Sequence, residues 1–184
     1  MYHIVEDERA RRSAKRIVYG LEESLGSVSI GEITISRLCA QCGVSRATFY
    51  RLFDNLTDVL AYRCDQILDE AAARVRQKPD PNPRETSIFI LKSWMQHPAL
   101  MKALMDGHYL EVLYQSHINH LDTMRELFLK AEVRNKKTVD ILVQHLCLLL
   151  PGSLIIWQRN GGTETAEDIY EQTTNSFRIL SRIL

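Results

Sequence analysis

The stretch TISRLCAQCGVSRATFYRLF, Thr34 to Phe53, decides how the chain is read. Ile35, Leu38, Cys39 and Cys42 repeat at i, i+3, i+4 and i+7, the spacing of one buried helical stripe, and Thr34 stands ahead of them as a capping oxygen. Gly43 follows the last apolar position and suits a left-handed C-terminal cap. Ser45 then offers a second N-cap. With Arg46 at the first helical position, Val44 precedes the cap and Phe49 is the fourth helical residue, a hydrophobic-staple pair. Phe49, Leu52 and Phe53 share one side of this second helix, and Arg46, Ala47, Thr48, Tyr50 and Arg51 share the other. A two-turn helix is not stable by itself, so its apolar side must be held by other helices. Its outer side is short, polar and rich in donors, and Ala47 keeps the centre low enough to approach a groove. Helix, glycine turn, short helix is a helix-turn-helix, whose second helix enters the major groove.

The surrounding pattern is helical nearly everywhere. Ala10, Ala14, Ile17, Val18, Leu21 and Leu25 trace a stripe over Glu6 to Leu25, with Glu6, Asp7 and Glu8 suited to its N-terminus. Thr57 is expected to cap a fourth helix to about Arg76, with Leu60, Cys64, Ile67, Leu68, Ala71 and Val75 inward. KPDPNP, Lys78 to Pro83, is the sharpest break in the chain. Beyond it, helices are expected over Arg84 to Gln96, Pro98 to Met105, Tyr109 to Ala131, Lys136 to Arg159 with a kink at Pro151-Gly152, and Thr165 to Ile183. Ile169, Thr173, Phe177 and Leu180 form the inner face expected of the last helix. The fold class is therefore all-α, about nine helices. A helix-turn-helix domain is placed at 1–56 and a second, larger helical domain at 57–184, to which the resemblance described below assigns effector binding and dimerisation.

Composition sets bounds on function. The 184 residues are 45% apolar and 25% charged, enough for a core without staples. Lys plus Arg equals Asp plus Glu at 23 each, so any polyanion must be met by local charge. Arg9, Arg11, Arg12, Lys15 and Arg16 crowd the outer faces of the first helix with no acid among them. They read as a solvated face in isolation and as phosphate steering beside a helix-turn-helix. Cys39-x-x-Cys42 has no second pair and lies on a core stripe, which favours buried thiols in a reducing, cytoplasmic setting over zinc or a redox switch. The apolar run Val139 to Trp157 is interrupted by Asp140, Gln144, His145 and Pro151 and reads as a buried helix, not a membrane span.

Thr34 to Phe53 resembles the DNA-binding motif of the TetR family of transcriptional regulators. That signature runs roughly Thr-Val-x-x-Ile-Ala-x-x-Ala-Gly-Val-Ser-x-x-Thr-Leu-Tyr-x-x-Phe, matched here by Thr34, Ile35, Leu38, Gly43, Val44, Ser45, Thr48, Phe49, Tyr50 and Phe53. Trp157 to Ile169 is similar to the family's junction between the last two helices. The resemblance implies a double-stranded DNA operator as partner, a homodimer, a bacterial cytoplasmic, nucleoid-associated setting and repression relieved by a small-molecule effector. A protein-dependent regulator or activator is the alternative. By position, Thr34 and Tyr50 contact phosphate, Arg46, Ala47 and Thr48 face bases, and Ser45 and Arg51 complete the DNA-binding set. Cys39 and Cys42 stand where the family usually has alanine. Leu56 stands where many members have a phosphate-binding lysine, a lost anchor for which the basic cluster of the first helix is the expected compensation.

The remaining assignments are looser. Phe89, Trp94, Met101, Met105, Tyr109, His117 and His145 are the residues set down for an effector pocket. Val143, Leu146, Leu150, Ile155, Trp157, Ile169 and Phe177 are set down for a dimer seam. His117 and His120 share a helical face but lack carboxylates at matching spacing, so neither a metal nor a cofactor is expected. No nucleophile elbow, Gly-rich phosphate loop or HExxH occurs, and an enzyme is not expected.

Overall fold

The computed structural model describes residues 2–4, 7–80, 82–128 and 136–183. Among these, regular structure is entirely helical. The helices are α1 (Glu8–Leu25), α2 (Ile35–Cys42), α3 (Arg46–Leu52), α4 (Leu56–Arg76), α5 (Pro83–Met95), α6 (Pro98–Asp106), α7 (Leu110–Asn119), α8 (Leu121–Phe128), α9 (Lys136–Arg159) and α10 (Ala166–Ile183), with a 3-10 turn at Ile30–Glu32.

The tenth helix arises where one was expected from Tyr109 to Ala131. The chain leaves α7 at His120, whose N–H closes a tight turn on the His117 carbonyl at 3.2 Å. Its ring Nδ1 sits 2.7 Å from the Ser116 carbonyl, and α8 starts with the Met124 N–H donating back to the His120 carbonyl. Apolar periodicity runs through such a break unchanged, so the sequence hid it. The expected endpoint, Ala131, lies outside the described residues. The cap of α4 also differs from expectation: the Asn55 side chain accepts from the Asp58 N–H at 3.0 Å, and Thr57 is already inside the helix. α9 runs unbroken through Pro151.

The chain gathers into two compact units, one of residues 1–66 and 99–113, the other of 67–98 and 114–184. In the first, α1 packs on α2 and α3, and α2 packs on α3. Gly20 of α1 permits the close approach of α2, because a Cβ there would lie 2.3 Å from the Cys42 sulfur. The cysteine thus fills space that glycine vacates. At the end of α2, Gly43 adopts φ +60°, and the Val44 N–H reaches back to the Cys39 carbonyl at 3.0 Å, the Schellman arrangement. The Arg16 guanidinium lies over Gly43, where a Cβ would approach it to 2.6 Å. A cation at that helix C-terminus complements its dipole.

In the second unit α5 is the central element, packing on α8, α9 and α10. Ile90, Leu91 and Trp94 of α5 are fully buried. Lys92 pairs with Glu167 at 2.5 Å and Arg84 with Glu171 at 3.4 Å, fixing α5 against α10 along its exposed edge. Thr165 and Asp168 cap α10 reciprocally. The inner face expected of α10 holds only at its start. Ile169 is buried, whereas Phe177 and Leu180 are 39% and 44% exposed, because the helix continues past the elements that cover its first turns.

The Gly20–Cys42 contact gives a stability test. Gly20→Ala is expected to cost roughly 1–3 kcal/mol through overpacking, and adding Cys42→Ala to that variant should recover most of the loss. Urea unfolding of the two single variants and the double variant measures the coupling. Simple additivity of the two losses would contradict the contact.

Candidate nucleic-acid interface

α3 is seven residues long and is secured at both ends. The Ser45 hydroxyl accepts from the Thr48 N–H at 3.0 Å, and the Phe53 N–H donates to the Phe49 carbonyl at 2.8 Å. Phe49, Leu52 and Phe53 are at most 1% exposed, and Val44 is buried beside them. Burying side chains of this size contributes about 1.5–3 kcal/mol each, which offsets the weakness of an isolated two-turn helix. The rings form a chain: Phe49 to Phe53 at 5.8 Å, and Phe53 to Tyr62 of α4 at 5.8 Å.

Because the apolar side is fixed inward, the polar side is fixed outward. Ser45, Arg46, Ala47 and Arg51 are exposed, and Tyr50 is 46% exposed. The Tyr50 ring stands edge-on to Phe49 at 5.5 Å, and the Arg46 guanidinium lies 6.0 Å from its centroid. The ring is therefore oriented from beneath and flanked by a cation above. Thr48 is half-buried, since its hydroxyl is drawn onto that of Ser45 at 2.9 Å. Thr34, exposed at the N-cap of α2, accepts from the Arg37 N–H at 3.2 Å. The outward set offers guanidinium, phenol and hydroxyl groups around one small residue, the chemistry that contacts phosphates and base edges.

Charge around the unit is unevenly committed. Arg12 pairs with Glu8 at 3.0 Å and Arg63 with Glu22 at 3.1 Å. Arg9, Lys15 and Arg16 are exposed on α1. Leu56 opens α4 half-buried, and its side chain has no donor to offer a phosphate. Cys39 and Cys42 are both free and buried, and burial pushes both thiols up from the ordinary cysteine range. Such thiols are poor nucleophiles at neutral pH.

The seven residues set down for an effector pocket divide between the two units. Met101, Met105 and Tyr109 belong to the first, and Phe89, Trp94, His117 and His145 to the second. Trp94 and His117 are fully buried and stack at 5.6 Å with their rings 19° apart, whereas His145 is exposed. His120 faces away into a contact with Asp69 at 3.2 Å. Two clefts in the first unit, of about 310 and 230 Å³, are lined by none of the seven. Among the described residues no group of three or more His, Cys, Asp and Glu side chains is placed to hold a metal ion.

The dimer-seam residues are mostly committed within the chain. Val143, Leu150, Ile155, Trp157 and Ile169 are buried and Leu146 is half-buried, leaving Phe177 exposed. The exposed large apolar side chains of these two helices are Ile141, Leu142, Leu148 and Ile156 on α9 and Phe177, Ile179, Leu180 and Ile183 on α10. The signal was present in the sequence, since α9 is apolar on nearly every face, but composition does not say which face meets α5. Residues 137–159 are long and apolar enough to cross a membrane, and part of that surface is buried inside the unit.

No family model and no curated protein sequence matches the chain. Solved structures do. Lin0861 from Listeria innocua matches with a TM-score of 0.75 at 16% identity, over 97% of this chain and 96% of that one. A TetR transcriptional regulator from Streptococcus agalactiae matches at 0.59 and 19% identity, over 93% and 96% of the two chains. A TetR-family transcriptional regulator from Streptomyces coelicolor matches at 0.54 and 15% identity, over 94% and 82%. The chain has the TetR-family fold.

In the native protein Cys39 and Cys42 are expected to resist alkylation at neutral pH, with rapid labelling only after denaturation. Mass spectrometry of the timed reaction reads this directly, and fast native labelling of either would indicate an accessible thiolate.

Proposed function

We propose that the protein is a dimeric, sequence-specific DNA-binding transcriptional regulator whose α3 enters the major groove. One observation carries this reading. The recognition helix is anchored by a fully buried aromatic and aliphatic side and presents Arg46, Ala47, Tyr50 and Arg51 to solvent with a capped N-terminus between Ser45 and Thr48. The TetR-like fold supports it, since two of the similar structures are described as TetR transcriptional regulators. Tyr50 and Thr34 hold phosphates, and Arg46, Ala47 and Thr48 read bases, Thr48 through the part of its side chain not drawn to Ser45. Arg9, Lys15 and Arg16 supply the electrostatic attraction that Leu56 does not.

The homodimer forms through the exposed apolar side chains of α9 and α10, whose desolvation favours association of two such helix pairs into a four-helix bundle. Twofold symmetry then suits a palindromic operator. The regulator acts in the cytoplasm as a repressor, and an effector favouring a conformation with low operator affinity releases it by linkage. A protein-dependent regulator is the second reading. It is favoured by the stacked, fully buried Trp94–His117 pair, whose rings are committed to the packing of the second unit. A thermal-shift screen separates the two: a small molecule that raises the melting temperature and releases DNA supports the first.

Binding-site selection with random duplexes should enrich a palindrome, and failure to enrich one would count against the whole reading. Against that operator, Tyr50→Phe is expected to weaken binding to all duplexes alike, whereas Arg46→Ala and Thr48→Ala change base preference by about 1–3 kcal/mol at one position. Anisotropy titrations over a salt series distinguish these outcomes. Leu148→Glu and Ile156→Glu, both at exposed positions, should yield folded monomers in sedimentation experiments. Retained dimers in both variants would place the seam elsewhere.

A further inference from the structure

Residues 2–4 precede α1 in sequence, yet they lie against the far end of the recognition helix. The His3 N–H donates to the Leu52 carbonyl at 2.8 Å. Leu52 is the last residue of α3, and its carbonyl has no partner one turn further along the helix, so the bond satisfies an orphan acceptor. The His3 ring reaches Asp54 at 3.1 Å, just beyond the C-cap residue Phe53. Tyr2 binds α4 in two ways: its hydroxyl donates to Asp65 at 2.7 Å, and its ring meets Tyr62 edge-on at 5.1 Å. Asp65 is buried, which makes its side chain a fixed acceptor.

From this geometry we infer that residues 2–4 form a positioning arm that caps the recognition helix from outside and fixes its orientation on α4. Tyr2 anchors the arm, and His3 transmits the anchorage to the backbone of α3. The ring contacts extend the same path inward. Tyr2 meets Tyr62, Tyr62 meets Phe53, Phe53 meets Phe49, and Phe49 supports the exposed ring of Tyr50. A seven-residue helix closes few hydrogen bonds of its own, so an external cap and a continuous aromatic support govern how far it frays. The arm itself need not touch DNA. Its contribution is to hold the outward side chains of α3 in one arrangement, which favours a matched base sequence over an unmatched one. This last clause rests on the DNA-binding reading above; the capping of α3 does not.

The experiment compares untagged full-length wild type with Tyr2→Ala and Tyr2→Phe. Amide hydrogen exchange in the free protein is expected to accelerate roughly tenfold across α3 in Tyr2→Ala, with α1 unchanged, from loss of one hydrogen bond and one aromatic pair. Tyr2→Phe keeps the ring and loses the hydroxyl that bonds Asp65, so its acceleration should be roughly threefold. With the selected operator, Tyr2→Ala should bind roughly tenfold more weakly, while binding to unrelated duplex is unchanged. A residue that merely stabilised the fold would lower both affinities together and accelerate exchange in α1 as well as α3. Unchanged α3 exchange in Tyr2→Ala overturns the inference. Should Tyr2→Ala fail to fold, Tyr2→Phe decides by the same reading. If wild type selects no operator, the DNA-binding reading falls, and the exchange data still judge the arm.

Discussion

Everything distinctive about the first unit depends on the burial of Phe49, Leu52 and Phe53. These three side chains are essentially removed from solvent, and α3 exists as a helix because they are. Seven residues cannot repay the entropy of helix nucleation through their own hydrogen bonds. Apolar burial does so, and the geometry of burial fixes rotation about the helix axis. Once Phe49 and Phe53 point inward, Arg46, Tyr50 and Arg51 have no other direction than outward. The chemical surface of the helix follows from its core.

The same constraint explains the small residues nearby. Gly20 lets α1 and α2 approach until Cys42 fills the gap, and Gly43 turns the chain through a left-handed conformation under the Arg16 guanidinium. Each permits the helices that cover α3 to come close enough to do so. Cys39 and Cys42 are then packing residues, their thiols pushed up by burial. A pair that suggests redox chemistry on paper is part of the scaffold.

The second unit obeys a different logic. α5 is packed against three other helices, with Trp94 near its C-terminal end stacked on His117 and ion pairs along its exposed edge. α9 and α10 satisfy only part of their apolar surface in this way. Eight large apolar side chains stay exposed on those two helices, and they are the physical ground for proposing a second copy of the chain as their cover.

The sequence by itself determined the all-helical class, the short helix α3 after a glycine turn, and the two sides of that helix. Those depend on local periodicity and caps, in which Thr34, Gly43, Ser45 and Phe49 act over a few residues. Its failures share one cause. The break at His120, the cap at Asn55, the exposed end of α10 and the outward face of α9 all depend on which partner a residue meets. Helical spacing identifies an apolar side only when polar residues mark the opposite one, and α9 is apolar around most of its circumference. Only the tertiary structure could bring residues 99–113 into the first unit, set Tyr2 against Asp65 across 63 positions of sequence, and close the Leu52 carbonyl with the His3 N–H. Such contacts are decided by the packing of distant helices, and no window of local sequence contains both partners.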